Sequence, residues 1–160
     1  MQPREIVRRT LEFRHPERVA ATFPDPYWHD LSSVHYQLAG FQPAWRDVGH
    51  GRQEYVDEWG NTWARIDATS KGEVARGAIE HWEDLDRLKW PDLANPANYD
   101  LVRDQCADPA NDRFRVGGLP GFPFSIGRQM RRLDAFLMDV LAEPERIQAL
   151  LERIEEILAA

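Results

Sequence analysis

The chain has 160 residues, the length of about one domain, and its 42% hydrophobic and 29% charged content is ordinary for a soluble globular protein. Its net charge of −7 argues against nucleic acid, since duplex binding relies on Lys and Arg neutralising phosphates, and against an anionic membrane surface. No apolar run approaches the roughly 20 residues of a membrane span, and no signal-peptide core opens the chain, so we expect a cytoplasmic protein with neither nucleic-acid nor membrane partners.

The first 50 residues predict a short helix, a strand and a loop. Pro3 suits the first turn of a helix whose apolar side holds Ile6 and Val7. "RVAATF", at 18–23, is short, apolar and flanked by prolines, which is typical of a buried strand. It is followed by the proline-rich loop "FPDPYWHD". Residues 27–50 are ambiguous, and "DLSSVHYQLAGF" is compatible with a helix.

Residues 51–92 predict an antiparallel β-meander that is rich in tryptophan. Polar and apolar residues alternate up to the turn dipeptide Gly60-Asn61, and further strands are expected at about 62–67 and 73–79. The segment holds four of the six tryptophans: Trp59, Trp63, Trp82 and Trp90. We favour packing of these rings against another layer of protein over stacking on a large flat ligand, and both interpretations stay open.

Residues 93–160 have the 3.6-residue period of helices around one more strand. A helix follows Asn95-Pro96, and its apolar face carries Cys106, which we expect to be a buried, inert thiol. The single cysteine excludes an internal disulfide and fits a reducing compartment. The strand "RFRVGG" leads into the loop "LPGFP". One long helix is predicted over 124–142, and a last helix follows Pro144.

The two apolar strands are separated by a helical connection, which indicates a parallel β-α-β crossover. Parallel sheets are covered on both faces and seldom have two strands. The apolar pattern also runs on to the last residues, "EEILAA", without a capping signal. These features favour the front portion of a larger α/β protein.

Several segments, in this order, resemble the uroporphyrinogen decarboxylase superfamily, which includes corrinoid-dependent methyltransferases. They are "PREIVRRTLEFRHPERV", "VDEWGNTW", "GEV" followed by "WEDLDRLKWPD", and, after Gly117-Gly118, "RQMRRLDAFLMDVLAEPERIQALLERI". The resemblance covers nearly the whole chain. It implies an α/β fold, the N-terminal part of a (β/α)₈ TIM-type barrel with an added antiparallel β-meander.

In that scheme 1–160 is a partial domain. Residues 1–50 hold the first helix, strand and loop, residues 51–92 the meander, and residues 93–160 a helix, the second strand and two helices. Such barrels need roughly 250 residues, so we expect no activity from this chain alone.

The implied activity is tetrapyrrole decarboxylation or corrinoid-linked methyl transfer. Methyl transfer is slightly favoured, because the "DEWG" hairpin resembles that branch and the arginine-rich decarboxylase segment is absent from "FPDPYWHDL". The implied substrate is a tetrapyrrole or a methylated small molecule, with a corrinoid protein as a further partner. Corrinoid and zinc belong to a full-length enzyme, and no cofactor is expected in this portion.

Barrel enzymes build their sites from loops at the carboxyl ends of strands. The substrate-binding candidates are therefore Asp25, His29 and Asp30 in the first loop and Gly118 and Gly121 in the second. The competing interpretation is structural, with the aspartates capping neighbouring helices and the glycines serving the turn. No spacing matches a metal site, and no catalytic residue is assigned.

Two alternatives remain. Arg128, Arg131 and Arg132 could bind substrate carboxylates, although their flanking positions favour exposure to water. The whole chain could instead be a small, independently folding α+β binding or interaction module without catalysis.

Overall fold

The computed structural model describes residues 1–24 and 26–160, which form two compact α+β units. One unit comprises residues 1–37 and 96–119, and the other comprises residues 38–95 and 120–160. The part of the chain that is described holds a two-stranded parallel sheet and a four-stranded antiparallel sheet. It holds neither a barrel nor repeated β/α units, so the prediction of a TIM-type barrel portion is wrong.

The first unit is built around the parallel strand pair. Helix α1 (Pro3–Leu11) packs on strand β6 (Phe114–Gly117), and β6 pairs with strand β1 (Leu31–Val34) from Leu31 opposite Phe114 onwards. A short 3₁₀ helix (Pro96–Tyr99) runs into helix α2 (Asp100–Ala107). The buried apolar side chains of this unit are few: Ile6, Val7 and Val34.

The second unit places the antiparallel meander beside three helices. Its strands lie in chain order: β2 (Arg46–Gly49), β3 (Arg52–Val56), β4 (Thr62–Arg65) and β5 (Glu73–Arg76). A 3₁₀ helix (Trp82–Arg87) and helices α3 (Pro123–Met130), α4 (Leu133–Ala142) and α5 (Pro144–Leu158) follow. The core includes Trp59, Ile79, Ile126, Met130, Phe136, Leu150 and Ile154.

Close backbone packing joins the meander to α3. The amide of Ile79 donates to the carbonyl of Met130 at 2.8 Å. A Cβ atom at Gly77 would lie 2.2 Å from that same carbonyl oxygen, so only glycine fits there without displacing the backbone. The glycine therefore lets the chain after β5 lie against the end of α3.

Three sequence predictions of local structure are wrong. Residues 18–23 form only an isolated bridge, Thr22 with His29, and the first strand is instead β1, within the segment considered compatible with a helix. The predicted single helix over 124–142 is two helices, interrupted at Arg132, whose φ is 59°. Cys106 is exposed on α2 rather than buried.

Among the described residues, no helix combines the length and the apolar composition that crossing a membrane requires.

Candidate functional site

The loop "FPDPYWHD", which was predicted to follow the first strand, lies before the first strand of the structure, β1. Asp30 is 1% exposed, and its carboxylate accepts two hydrogen bonds from the Arg18 guanidinium, at 2.5 and 2.6 Å, and one from the Ala21 amide at 2.9 Å. The hydrogen bonds from Arg18, together with that of the Ala21 amide, lower the pKa of Asp30. The ring of Trp28 lies under the Arg18 guanidinium, 4.5 Å from the ring centroid. Asp30 therefore closes this loop as a buried ion pair.

The other predicted site residues are dispersed. Asp25 lies outside the described residues. His29 is half-buried and forms the bridge with Thr22, while Gly118 is exposed, and a Cβ atom there would lie 3.9 Å from Nδ1 of His35. Gly121 belongs to the second unit, where its would-be Cβ meets Ile126 at 3.1 Å. Asp30 and Gly121 thus have evident structural roles.

The first unit has an apolar cleft of about 500 Å³, which is lined by Phe23, Pro26, Tyr27 and Trp28. Ligand sites combine apolar walls with a few polar groups that fix orientation. No charged side chain among the described residues lines this cleft, so it offers little to orient a ligand.

In the second unit, Asp57 organises the tryptophan-rich hairpin. Its buried carboxylate accepts hydrogen bonds from the amides of Trp59 and Asn61, from Nδ2 of Asn61, and from the indole nitrogen of Trp63 at 2.6 Å. Oδ1 of Asn61 in turn accepts from the Ala78 amide at 3.1 Å. The "DEWGNTW" segment is thus held by a network of buried hydrogen bonds.

The indole rings fall into separate packing groups. Trp59 is 3% exposed and meets Trp90 edge-on. Trp63 stacks on Tyr55 with ring centroids 6.1 Å apart, and it remains half-buried. Trp82 lies beneath Arg131, with the guanidinium 4.9 Å from the ring centroid. These contacts support packing for Trp59 and Trp82, whereas Trp63 also borders a groove.

This groove, here called the Trp63 groove, has a volume of about 600 Å³. It runs along β5, the last turn of α3 and the first half of α4. Its lining is formed by Trp63, Gly72, Glu73, Val74, Arg128, Gln129, Arg132, Leu133, Asp134 and Leu137. The groove therefore combines an indole and aliphatic walls with charged groups of both signs.

The two arginines of the groove differ in their partners. Arg132 pairs with Asp134 at 3.4 Å and donates to the carbonyl of Ala75 at 3.1 Å. The pKa of Asp134 is lowered by its hydrogen bond with the Ala135 amide and by Arg132. Arg128 is half-buried, and its side chain makes no hydrogen bond or ion pair with any other residue the structure describes. The chemically distinctive feature of the groove is that it holds, together with an indole, a cation that has no counter-ion among the described residues.

Sequence analysis favoured exposure to water for Arg128, Arg131 and Arg132. Arg131 is instead mostly buried, since it pairs with Asp139 at 2.7 Å and donates to the carbonyls of Ile79 and Glu80. The break between α3 and α4 thus directs Arg131 to Asp139, whereas Arg128 and Arg132 line the groove. No sequence signal marks that break.

Within residues 1–24 and 26–160, no three His, Cys, Asp or Glu side chains lie close enough together to hold a metal ion.

Comparison of the chain with protein-family models, with curated proteins and with solved structures finds no match. The resemblance to the uroporphyrinogen decarboxylase superfamily therefore rests on the sequence segments quoted above.

Proposed function

We propose that this chain is a binding module whose Trp63 groove takes a carboxylate-bearing ring compound of the tetrapyrrole class. The observation that carries the proposal is Arg128, which has no counter-ion among the described residues and lines the groove together with Trp63 and Leu137. The ligand class agrees with the uroporphyrinogen decarboxylase resemblance, and the proposal does not depend on the barrel fold.

The chemistry of the walls favours such a ligand. A guanidinium donates two parallel hydrogen bonds to a carboxylate, and its charge strengthens both of them. An indole offers a large flat face, against which a conjugated ring packs offset-stacked or edge-on. The volume of about 600 Å³ lies within the usual range of ligand sites, roughly 300–1,000 Å³.

The net charge of −7 makes this local cation more selective. An acidic protein repels anions, but salt largely screens that repulsion beyond about 8 Å at physiological ionic strength. Arg128 acts at contact distance, where a charged hydrogen bond contributes about 1.5–3 kcal/mol. A carboxylate that reaches the groove can therefore be held there by Arg128.

Of the two activities that the resemblance implies, the groove supports the tetrapyrrole branch better. The "DEWG" hairpin had favoured methyl transfer, but its Asp57 is occupied by four internal hydrogen bonds. Arg128, which pairs with no acidic group among the described residues, instead suits a ligand with carboxylate arms. The proposal concerns binding, because no group in the groove is assigned a catalytic role.

The test is a titration with a polycarboxylated porphyrin, followed by isothermal calorimetry. Arg128→Gln should weaken binding about ten- to thirty-fold, because it removes the charged hydrogen bonds. Arg46→Gln is the matched control, since Arg46 is an exposed arginine on β2 away from the groove. Equal affinities for the two variants, or no binding by the unaltered chain, would contradict the proposal.

A further inference from the structure

Helix α4 is apolar on almost all sides, although only one side is buried in its own unit. Phe136 points into the core and is 1% exposed. Met138 is 71% exposed and Leu141 is 87% exposed, with Leu137 and Val140 at 51% and 41%. A helix that is hydrophobic all round is normally buried on all sides. The outward face of α4, here called the α4 face and formed by these four residues, therefore requires a cover.

The extent of the α4 face suits a symmetric contact. Continuous apolar patches of about 300–600 Å² on a protein surface are often functional, and four side chains at these exposures reach that order. A stable interface buries about 800 Å² on each partner. In a two-fold contact the same patch is used on both copies, and the polar start of α5 adds a rim. The α4 face can thus form the core of a small homodimer interface.

Charges at the two ends of α4 are complementary in an antiparallel pairing. Asp134, in the first turn of α4, has a 71% exposed side chain. Arg146, just beyond the last turn, has a 52% exposed side chain. Asp134 forms an exposed ion pair with Arg132 and Arg146 one with Glu143, and such pairs exchange at little cost. The Arg146 guanidinium also lies 5.7 Å from the ring centroid of Trp82. In an antiparallel pairing, the Arg132 and Asp134 charges at the start of one helix meet the Glu143 and Arg146 charges beyond the end of the other, twice, so that opposite charges can face each other. The two helix dipoles also attract.

From the apolar area and these charges, we propose that a second copy of this chain covers the α4 face. The two α4 helices lie antiparallel about a two-fold axis between Met138 and Leu141. The contact is centred on Met138 and Leu141 in the carboxyl-terminal half of α4, and it shares Leu137 and Asp134 with the lining of the Trp63 groove. The dimer proposal stands independently of the proposed ligand.

Sedimentation equilibrium of the full chain over a range of concentrations tests the dimer. The unaltered chain should dimerise, and Leu141→Asp should raise the dissociation constant at least ten-fold. Leu119→Asp, a matched substitution at a leucine 73% exposed in the first unit, should leave it unchanged. A monomer at all concentrations would overturn the proposal and assign the face to another kind of partner. An equal effect of the two substitutions would also overturn it.

Cross-linking tests the antiparallel geometry. In a Cys106→Ser background, Met138→Cys should form a disulfide with its own copy under mild oxidation by air and a copper catalyst, because residues near a two-fold axis meet themselves. Leu119→Cys serves as the control and should remain reduced. Disulfide formation at residue 119 but not at residue 138 would place the contact elsewhere and contradict the proposal.

Discussion

The indole nitrogen of Trp63 donates a 2.6 Å hydrogen bond to the carboxylate of Asp57. The indole ring that makes this bond also lines the Trp63 groove. The other oxygen of that carboxylate holds the amides of Trp59 and Asn61. The ring that would contact a ligand is therefore fixed before binding by a buried network. Such preorganisation lowers the entropy cost of binding, because the ring has little freedom left to lose.

Replacing Asp57 by Asn should destabilise the second unit by about 2–3 kcal/mol, because an amide nitrogen then faces donors inside a buried network. Thermal or urea unfolding measures this loss. Asp67→Asn is the matched control, since Asp67 also accepts three turn hydrogen bonds but is exposed. We expect a clearly smaller effect there. A loss at position 57 no greater than that at position 67 would show that the network does not hold the hairpin.

The ion pair between Arg18 and Asp30 should give the first unit an acid-dependent stability. Because the pKa of Asp30 is lowered in the folded state, the unfolded chain takes up this proton at a higher pH. The stabilisation is therefore complete above the ordinary value of 3.8 and is lost as the pH falls through the lowered pKa. At neutral pH, Asp30→Asn should cost about 3 kcal/mol, since it leaves a partly buried guanidinium without its partner.

The difference in stability between the unaltered chain and Asp30→Asn should shrink as the pH falls from about 4 towards 2. Unfolding monitored at several pH values measures this trend. Asp104→Asn, an exposed change on α2, serves as the control and should follow the unaltered chain. A difference that stays constant with pH would mean that the charge of Asp30 is not what stabilises the loop.

Gly77→Ala should destabilise the contact between the meander and α3 by at least about 2 kcal/mol, because the added methyl overlaps the Met130 carbonyl. Gly117→Ala, where a Cβ atom meets nothing within 4 Å, provides the comparison. Chemical denaturation of both variants gives the measurement. Equal stability of the two variants would contradict this prediction, because it would mean that the backbone at residue 77 can move away from α3 at no cost.

Short-range signals predicted part of this structure. Pro3 and Pro144 both stand at the first position of a helix, as their fixed φ favours. The turn expected at Gly60-Asn61 is present, with a φ of 85° at Gly60. Each of these features is decided by the few residues that carry it, so the sequence pattern is sufficient.

Features that depend on distant partners could not be predicted. Residues 18–23 have the composition of a strand, but Arg18 forms an ion pair with Asp30, and the segment forms only the single β-bridge between Thr22 and His29. Arg132, at φ 59° and ψ 145°, has a backbone conformation that costs a non-glycine residue about 1–3 kcal/mol, and its hydrogen bond to the Ala75 carbonyl helps to offset that cost. The barrel expectation was wrong for a related reason. A helical connection between two strands predicts that they pair in parallel, but it does not predict whether further strands continue the sheet.

The groove was missed because its members come from separate segments. Trp63 was identified as an aromatic of the meander, and Arg128 as a residue flanking an apolar stripe. Only the folded chain brings them to one surface. The presence of an arginine near the end of a helix gave no signal that its side chain forms no ion pair with any residue that the structure describes.

The most direct test of the Trp63 groove is nuclear magnetic resonance of the six indole N–H groups during titration with a polycarboxylated porphyrin. Ring currents from a bound porphyrin should shift the Trp63 signal strongly, while the signals of Trp28 and Trp90, which do not line the groove, stay in place. In Arg128→Gln the same Trp63 shift should require about ten- to thirty-fold more porphyrin. Shifts at Trp28 or Trp90 without one at Trp63 would contradict the assignment of the groove as the binding site.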